Sequence, residues 1–176
     1  NAYRWVFGAN SDAREAGKQL EHSLRQKIAI VDRVCGLTGA QREKLLLAGR
    51  GDIKRFLAGV EDIGTRMQRV KGDPEKVDAL GQEAYAISRS LIVPGLPPSR
   101  LLFVEALETA LTDEQLGRSE PLRVVYRAGG LIQSPEGGPD TAVLINLNGT
   151  AFADRDLAQV KRLTGITSLL LSGTQV

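Results

Sequence analysis

Ile145-Asn146-Leu147-Asn148-Gly149-Thr150-Ala151-Phe152 and Leu169-Leu170-Leu171-Ser172-Gly173-Thr174-Gln175-Val176 share one pattern, apolar-x-Leu-x-Gly-Thr-x-apolar, with Leu147 and Leu171 standing 24 residues apart. A chain that returns to the same frame at a fixed interval of roughly 20–50 residues builds one structural unit repeatedly. The residues between the copies complete that unit. Asp154 or Asp156 is placed to cap a short helix carrying Leu157, Val160 and Leu163, so the frame reads strand, helix, strand. On the strands Ile145, Leu147, Leu169 and Leu171 turn to one side, and stacked turns make a parallel sheet over a continuous apolar core. Thr150 and Thr174 stand where a side chain satisfies backbone groups as the chain leaves each strand. The other strand face carries Leu144, Asn146, Asn148, Ser168, Leu170 and Ser172, which form the candidate binding face.

Upstream of the repeat lies the clearest boundary in the chain, residues 129–141, with Gly129-Gly130 and Ser134-Pro135-Glu136-Gly137-Gly138-Pro139. It divides a helical domain, 1–128, from a repeat segment, 142–176. In the helical part Leu20, Leu24, Ile28, Val31 and Val34 recur at steps of three or four and predict one helix that ends at Gly36. Leu37-Thr38-Gly39-Ala40-Gln41 then opens a second helix as a capping box with a preceding hydrophobic staple residue. That helix carries Leu45, Leu46 and Leu47 and is expected to stop at Gly49. Asp52 is expected to cap a third, with Ile53, Phe56, Val60, Ile63, Met67 and Val70 on its stripe. Gly72-Asp73-Pro74 opens a fourth, and Pro94-Gly95-Leu96-Pro97-Pro98-Ser99 reads as a loop. Helix resumes with Leu102, Phe103 and Leu107. A second start signal, Leu111-Thr112-Asp113-Glu114-Gln115, continues it toward Ala128 with a break expected at Pro121. The fold class is therefore mainly α: a multi-helix domain followed by the first one to two turns of an α/β solenoid with short parallel strands.

Composition narrows the function. The chain has 176 residues, 42% hydrophobic and only 5% aromatic, enough to bury a core built on Leu, Ile, Val and Ala. No run approaches the ~18 consecutive apolar residues of a membrane span. Lone Cys35 makes no internal disulfide, and lone His22 cannot complete a zinc site of about four ligands. Cys35, on the apolar stripe, is expected to be buried, and His22 to lie on the surface. The net charge of +2 hides a basic first part and an acidic second one. The basic residues are interleaved with acids along helices and no aromatic-lined basic stripe appears, which argues against nucleic acid. Arg50-Gly51-Asp52 spells an adhesive tripeptide, but helix capping is the better use of Asp52; Gly49-Arg50-Gly51 lacks the preceding strand and following Lys of a phosphate loop. Tyr3-Arg4-Trp5-Val6-Phe7 concentrates aromatics that are expected to pack on the helical core. No residues show a spacing that catalysis, a cofactor or a metal requires.

Residues 142–176, quoted from Asp154-Arg155-Asp156-Leu157 to Leu171-Ser172-Gly173-Thr174-Gln175-Val176, resemble the turns of bacterial leucine-rich repeat proteins. The helical segments Val34-Cys35-Gly36-Leu37-Thr38-Gly39-Ala40-Gln41 and Ala48-Gly49-Arg50-Gly51-Asp52-Ile53-Lys54-Arg55-Phe56 resemble uncharacterised helical regions of bacterial proteins of that sort. What the first resemblance implies is protein binding with no named ligand. About three repeats are needed for stability, so further turns are expected after Val176, and the opening at Asn1 without a Met likewise reads as a fragment. The expectation is a non-enzymatic interaction module in which the helical domain caps and presents a repeat array to a protein partner, with an extracytoplasmic placement favoured. The two Leu-Thr-x-x-Gln segments are similar to those of periplasmic helical stress proteins, which implies the alternative of an envelope chaperone or stress sensor.

Overall fold

The computed structural model describes residues 2–7, 12–70, 72–92, 102–133, 143–150, 152–163 and 166–174. The chain is mainly helical with one small sheet. In order come α1 (Ala2–Phe7), α2 (Ala13–Cys35), α3 (Gly39–Arg69), α4 (Pro74–Ile92), α5 (Leu102–Ala110), α6 (Asp113–Arg127), β1 (Leu131–Gln133), β2 (Val143–Asn146), α7 (Asp154–Val160) and β3 (Ile166–Leu170). The proline-rich segment expected as a loop lies outside the described residues.

Local chemistry sets most helix ends. Asp12 accepts the Glu15 amide at 2.9 Å to start α2, and Gly36 ends it in the left-handed region at φ 65°. Thr38 and Thr112 each cap a helix through a reciprocal box with Gln41 and Gln115. Asp73 caps α4 ahead of Pro74, accepting the Lys76 amide.

Two expected interruptions do not occur. The chain runs as a single helix from Gly39 to Arg69, through Gly49 and Gly51. These glycines are notches rather than stops. A Cβ on Gly49 would lie 2.2 Å from Leu24 Cδ1 of α2, and one on Gly51 would lie 2.8 Å from Leu102 Cδ1 of α5. Their lost helix propensity, about 1 kcal/mol each, is offset by packing on both sides. Asp52 accordingly caps no helix of its own. Its carboxylate accepts the amides of Leu102 and Phe103, each at 2.9 Å, and so caps α5 from the side. Likewise α6 passes through Pro121 unbroken. Pro121 and Leu122 are buried there, so tertiary packing carries the helix past its missing donor.

One apolar cluster joins α2, the first half of α3, α5, α6 and the sheet, with Val31, Leu45, Leu107, Leu122, Val125, Ile145, Leu147 and Phe152 all buried. It runs without interruption past Ala128, so the helical part and the repeat share one core. Leu131–Gln133, inside the stretch expected to link them, is a strand. A second, smaller cluster forms farther along α3, where Val60 and Ile63 meet Ala84 of α4, Ala16 of α2, and Tyr3 and Val6 of α1. The aromatic N-terminal segment thus packs on the helices, as expected for Tyr3 and Phe7; nothing is described for the Trp5 side chain. Among the described residues no helix is long and apolar enough to cross a membrane.

Candidate interaction surface

The sheet is ordered β1-β2-β3. β2 pairs with β3 in parallel, setting Leu144 opposite Ser168, Ile145 opposite Leu169 and Asn146 opposite Leu170. On its other edge β2 pairs antiparallel with β1, setting Leu131 opposite Asn146 and Ile132 opposite Ile145. Because strand side chains alternate, Ile132, Ile145 and Leu169 form an inward row. Leu131, Asn146 and Leu170 form one outward row, and Leu144 and Ser168 a second. Five of the six candidate residues are thereby gathered on or beside one face: Leu144, Asn146 and Asn148 are half-buried, Ser168 likewise, and Leu170 is 39% exposed. Ser172, also exposed, follows at the turn.

The two Gly-Thr turns are built alike. Thr150 Oγ1 donates to the Leu147 carbonyl and Thr174 Oγ1 to the Leu171 carbonyl, both at 2.7 Å. Gly149 and Gly173 take φ of 68° and 70°, left-handed values that a Cβ disfavours. Between the turns, Gly149 donates to the Ser172 carbonyl, and the Asn148 side chain accepts the Ser172 amide at 2.7 Å. Asn148 is therefore a stitch between strands as well as a surface residue. Leading into α7, neither acid is the N-cap: that position is Ala153, and Asp156 reaches back to accept its amide at 3.1 Å.

A second polar cluster, assembled from four helices, was not anticipated. Lys27 Nζ of α2 lies 5.7 Å from the Phe103 ring centroid and 5.4 Å from that of Tyr126. Burial holds its amine below the ordinary lysine range, an effect partly opposed by the Asp52 carboxylate. The Tyr126 hydroxyl is buried with no hydrogen-bond partner among the described residues, and burial raises its pKa. The signal was present in the sequence: Lys27 falls among Leu24, Ile28 and Val31 on the apolar side of α2. Cys35 is buried, which raises its thiol pKa, and His22 is exposed. Arg50 and Asp52 sit mid-helix, Arg50 bound to Glu21 and Asp52 to α5, so the tripeptide is committed to internal contacts. The described residues contain no cluster of His, Cys, Asp and Glu able to hold a metal.

Neither a family model, nor a curated protein, nor a solved structure matches the chain.

Proposed function

We propose that this chain is a non-enzymatic protein-interaction module in which the helical body caps one end of a bacterial-type leucine-rich repeat array and presents it to a protein partner. One observation supports this reading above the rest. The parallel β2–β3 pair carries the same Gly-Thr turn on each strand, while β1 covers the opposite edge of β2 with an antiparallel strand. An antiparallel cover terminates a parallel stack on that side, and α6 with the start of the repeat closes the apolar end that terminal repeats otherwise leave open. The stack then lengthens only from β3, and its outward rows, through Leu144, Asn146, Ser168 and Leu170, make the partner-facing surface.

The alternative of a helical envelope chaperone rests on the two Leu-Thr-x-x-Gln segments. Their glutamine side chains bind each other.

The test is to append one, two or three further copies of residues 153–176 and to follow urea unfolding. In a solenoid each added turn gains a nearest-neighbour interface, so the midpoint is expected to rise with copy number. A constant midpoint, with the added residues unprotected against hydrogen exchange, would rule the reading out.

A further inference from the structure

We infer that the α3–α4 hairpin carries a binding pocket for a small amphiphilic phosphate, a phosphate monoester with a short apolar chain. A cavity of about 330 Å³ opens between the end of α3 and the first turns of α4. That is the lower end of small-molecule sites, roughly 300–1,000 Å³. Three of its lining side chains are cations, Arg66, Arg69 and Lys76, while Val70, Ala79 and Leu80 make an apolar wall and Glu83 is the one lining acid. Helical spacing assembles this set. Arg66, Arg69 and Val70 fall on one side of α3, and Lys76, Ala79, Leu80 and Glu83 recur at three and four on one side of α4.

The cations are unevenly matched. Arg66 donates to both Glu83 oxygens, at 2.9 and 2.8 Å, and meets Asp62 at 3.5 Å. Lys76 reaches Asp73 at 2.7 Å. The Arg69 guanidinium has no ion pair or hydrogen bond among the described residues. Helix dipoles do not account for the grouping: the end of α3 favours arginine, but the start of α4 disfavours a cation, and Lys76 stands in that first turn. An anion between Arg69 and Lys76 meets a planar fork on one side and a point charge on the other. The chain attached to it then lies along Val70, Ala79 and Leu80, of which Leu80 is buried. This pocket is built from α3 and α4 alone and is independent of the repeat reading.

The test is calorimetric titration of the full chain with hexyl phosphate, inorganic phosphate and hexanol. Hexyl phosphate is expected to bind about tenfold more tightly than inorganic phosphate, through partial burial of its chain, and hexanol not to bind. Arg69→Ala is expected to weaken hexyl phosphate about fivefold or more. Glu83→Gln, which removes the lining acid and loosens Arg66, is expected to tighten it about threefold. Both changed side chains are exposed, and circular dichroism checks that the variants keep their helices. Vesicles of phosphatidic acid in phosphatidylcholine are the arm for a lipid source: cosedimentation that Arg69→Ala abolishes, without hexyl phosphate binding, supports the same anion site with a headgroup as its ligand. Equal affinity of the wild type and Arg69→Ala, hexyl phosphate no tighter than inorganic phosphate, or no binding of any of these probes overturns the proposal.

Discussion

The carboxylate of Asp52, midway along one helix, accepts the backbone amide of Phe103 at 2.9 Å and so begins another helix 51 residues away. Its second oxygen takes the Leu102 amide at the same distance. Two of the donors that a helix start leaves unsatisfied are thus met by a charge rather than by a neighbouring residue. Asp52→Ala is expected to cost about 1–3 kcal/mol in urea unfolding, and Asp52→Asn less, since one amide oxygen remains. A loss under about 0.5 kcal/mol for the alanine variant would mean that α5 starts without this cap.

Lys27 gives a pH signature. Its folded pKa is lowered from the ordinary 10.5 by burial, against the partial pull of Asp52. Between those two values the unfolded chain holds a proton that the folded chain has lost, so stability rises with pH through that window. Tyr126, facing the same amine, has a raised pKa and contributes the opposite slope above its ordinary 10.0. The wild type minus Lys27→Met difference in unfolding free energy is expected to become more favourable to the wild type as pH rises toward 10. At pH 7 the methionine variant is expected to be more stable by up to about 1 kcal/mol. A difference independent of pH would remove Lys27 from the buried cluster.

Three glycines give a graded series. A Cβ on Gly130 would stand 2.6 Å from both Leu147 Cδ2 and Val125 Cγ1, and 2.9 Å from the Val125 carbonyl oxygen. Gly130→Ala is expected to cost about 1–3 kcal/mol. At Gly49 the three nearest atoms all belong to the Leu24 side chain, and the gain in helix propensity opposes the clash, so the cost is smaller. Gly59, exposed in α3 with nothing within 4 Å of an added Cβ, is expected to gain about 0.5–1 kcal/mol as alanine. Thermal melts that reverse this order would contradict the packing described.

Gln41 and Gln115 exchange side-chain hydrogen bonds, at 2.7 and 3.2 Å, while each closes its own capping box. Gln115 also donates to the carbonyls of Cys35 and Gly36 at the end of α2. A double-mutant cycle to alanine is expected to yield a coupling of about 0.5–2 kcal/mol, and Gln115→Ala to be the more damaging single change because it leaves buried carbonyls bare. Additive effects would reduce the contact to two separate caps.

The helices were legible because apolar spacing and capping residues are local properties, and Thr38, Thr112 and Asp73 act as their neighbours suggest. The 24-residue frame was legible for the same reason: Thr150 and Thr174 bond to their own turns. What misled was chemistry whose partner lies far along the chain. Gly49 and Gly51 look like helix ends until α2 and α5 press against them. Asp52 has the expected capping chemistry but spends it on α5. Leu131–Gln133 is too short and too closely flanked by glycine to read as a strand, and only its pairing with β2 reveals it. On the candidate face the alternation of Leu144, Asn146 and Leu170 was readable, whereas the Asn148 contact to Ser172 required the register.

The 31-residue α3 extends about 46 Å at 1.5 Å per residue and belongs to two cores in turn. Its first half is clamped by α2 and α5, and its second half is covered, among the described residues, by α1, α4 and Ala16 of α2. A single unbroken helix therefore spans regions of unequal local stability. Amide protons near Leu45 should exchange only with global opening, and those near Ile63 should escape by peeling of the far end, so the helix acts as a graded spring anchored between α2 and α5 and loosened toward its tip.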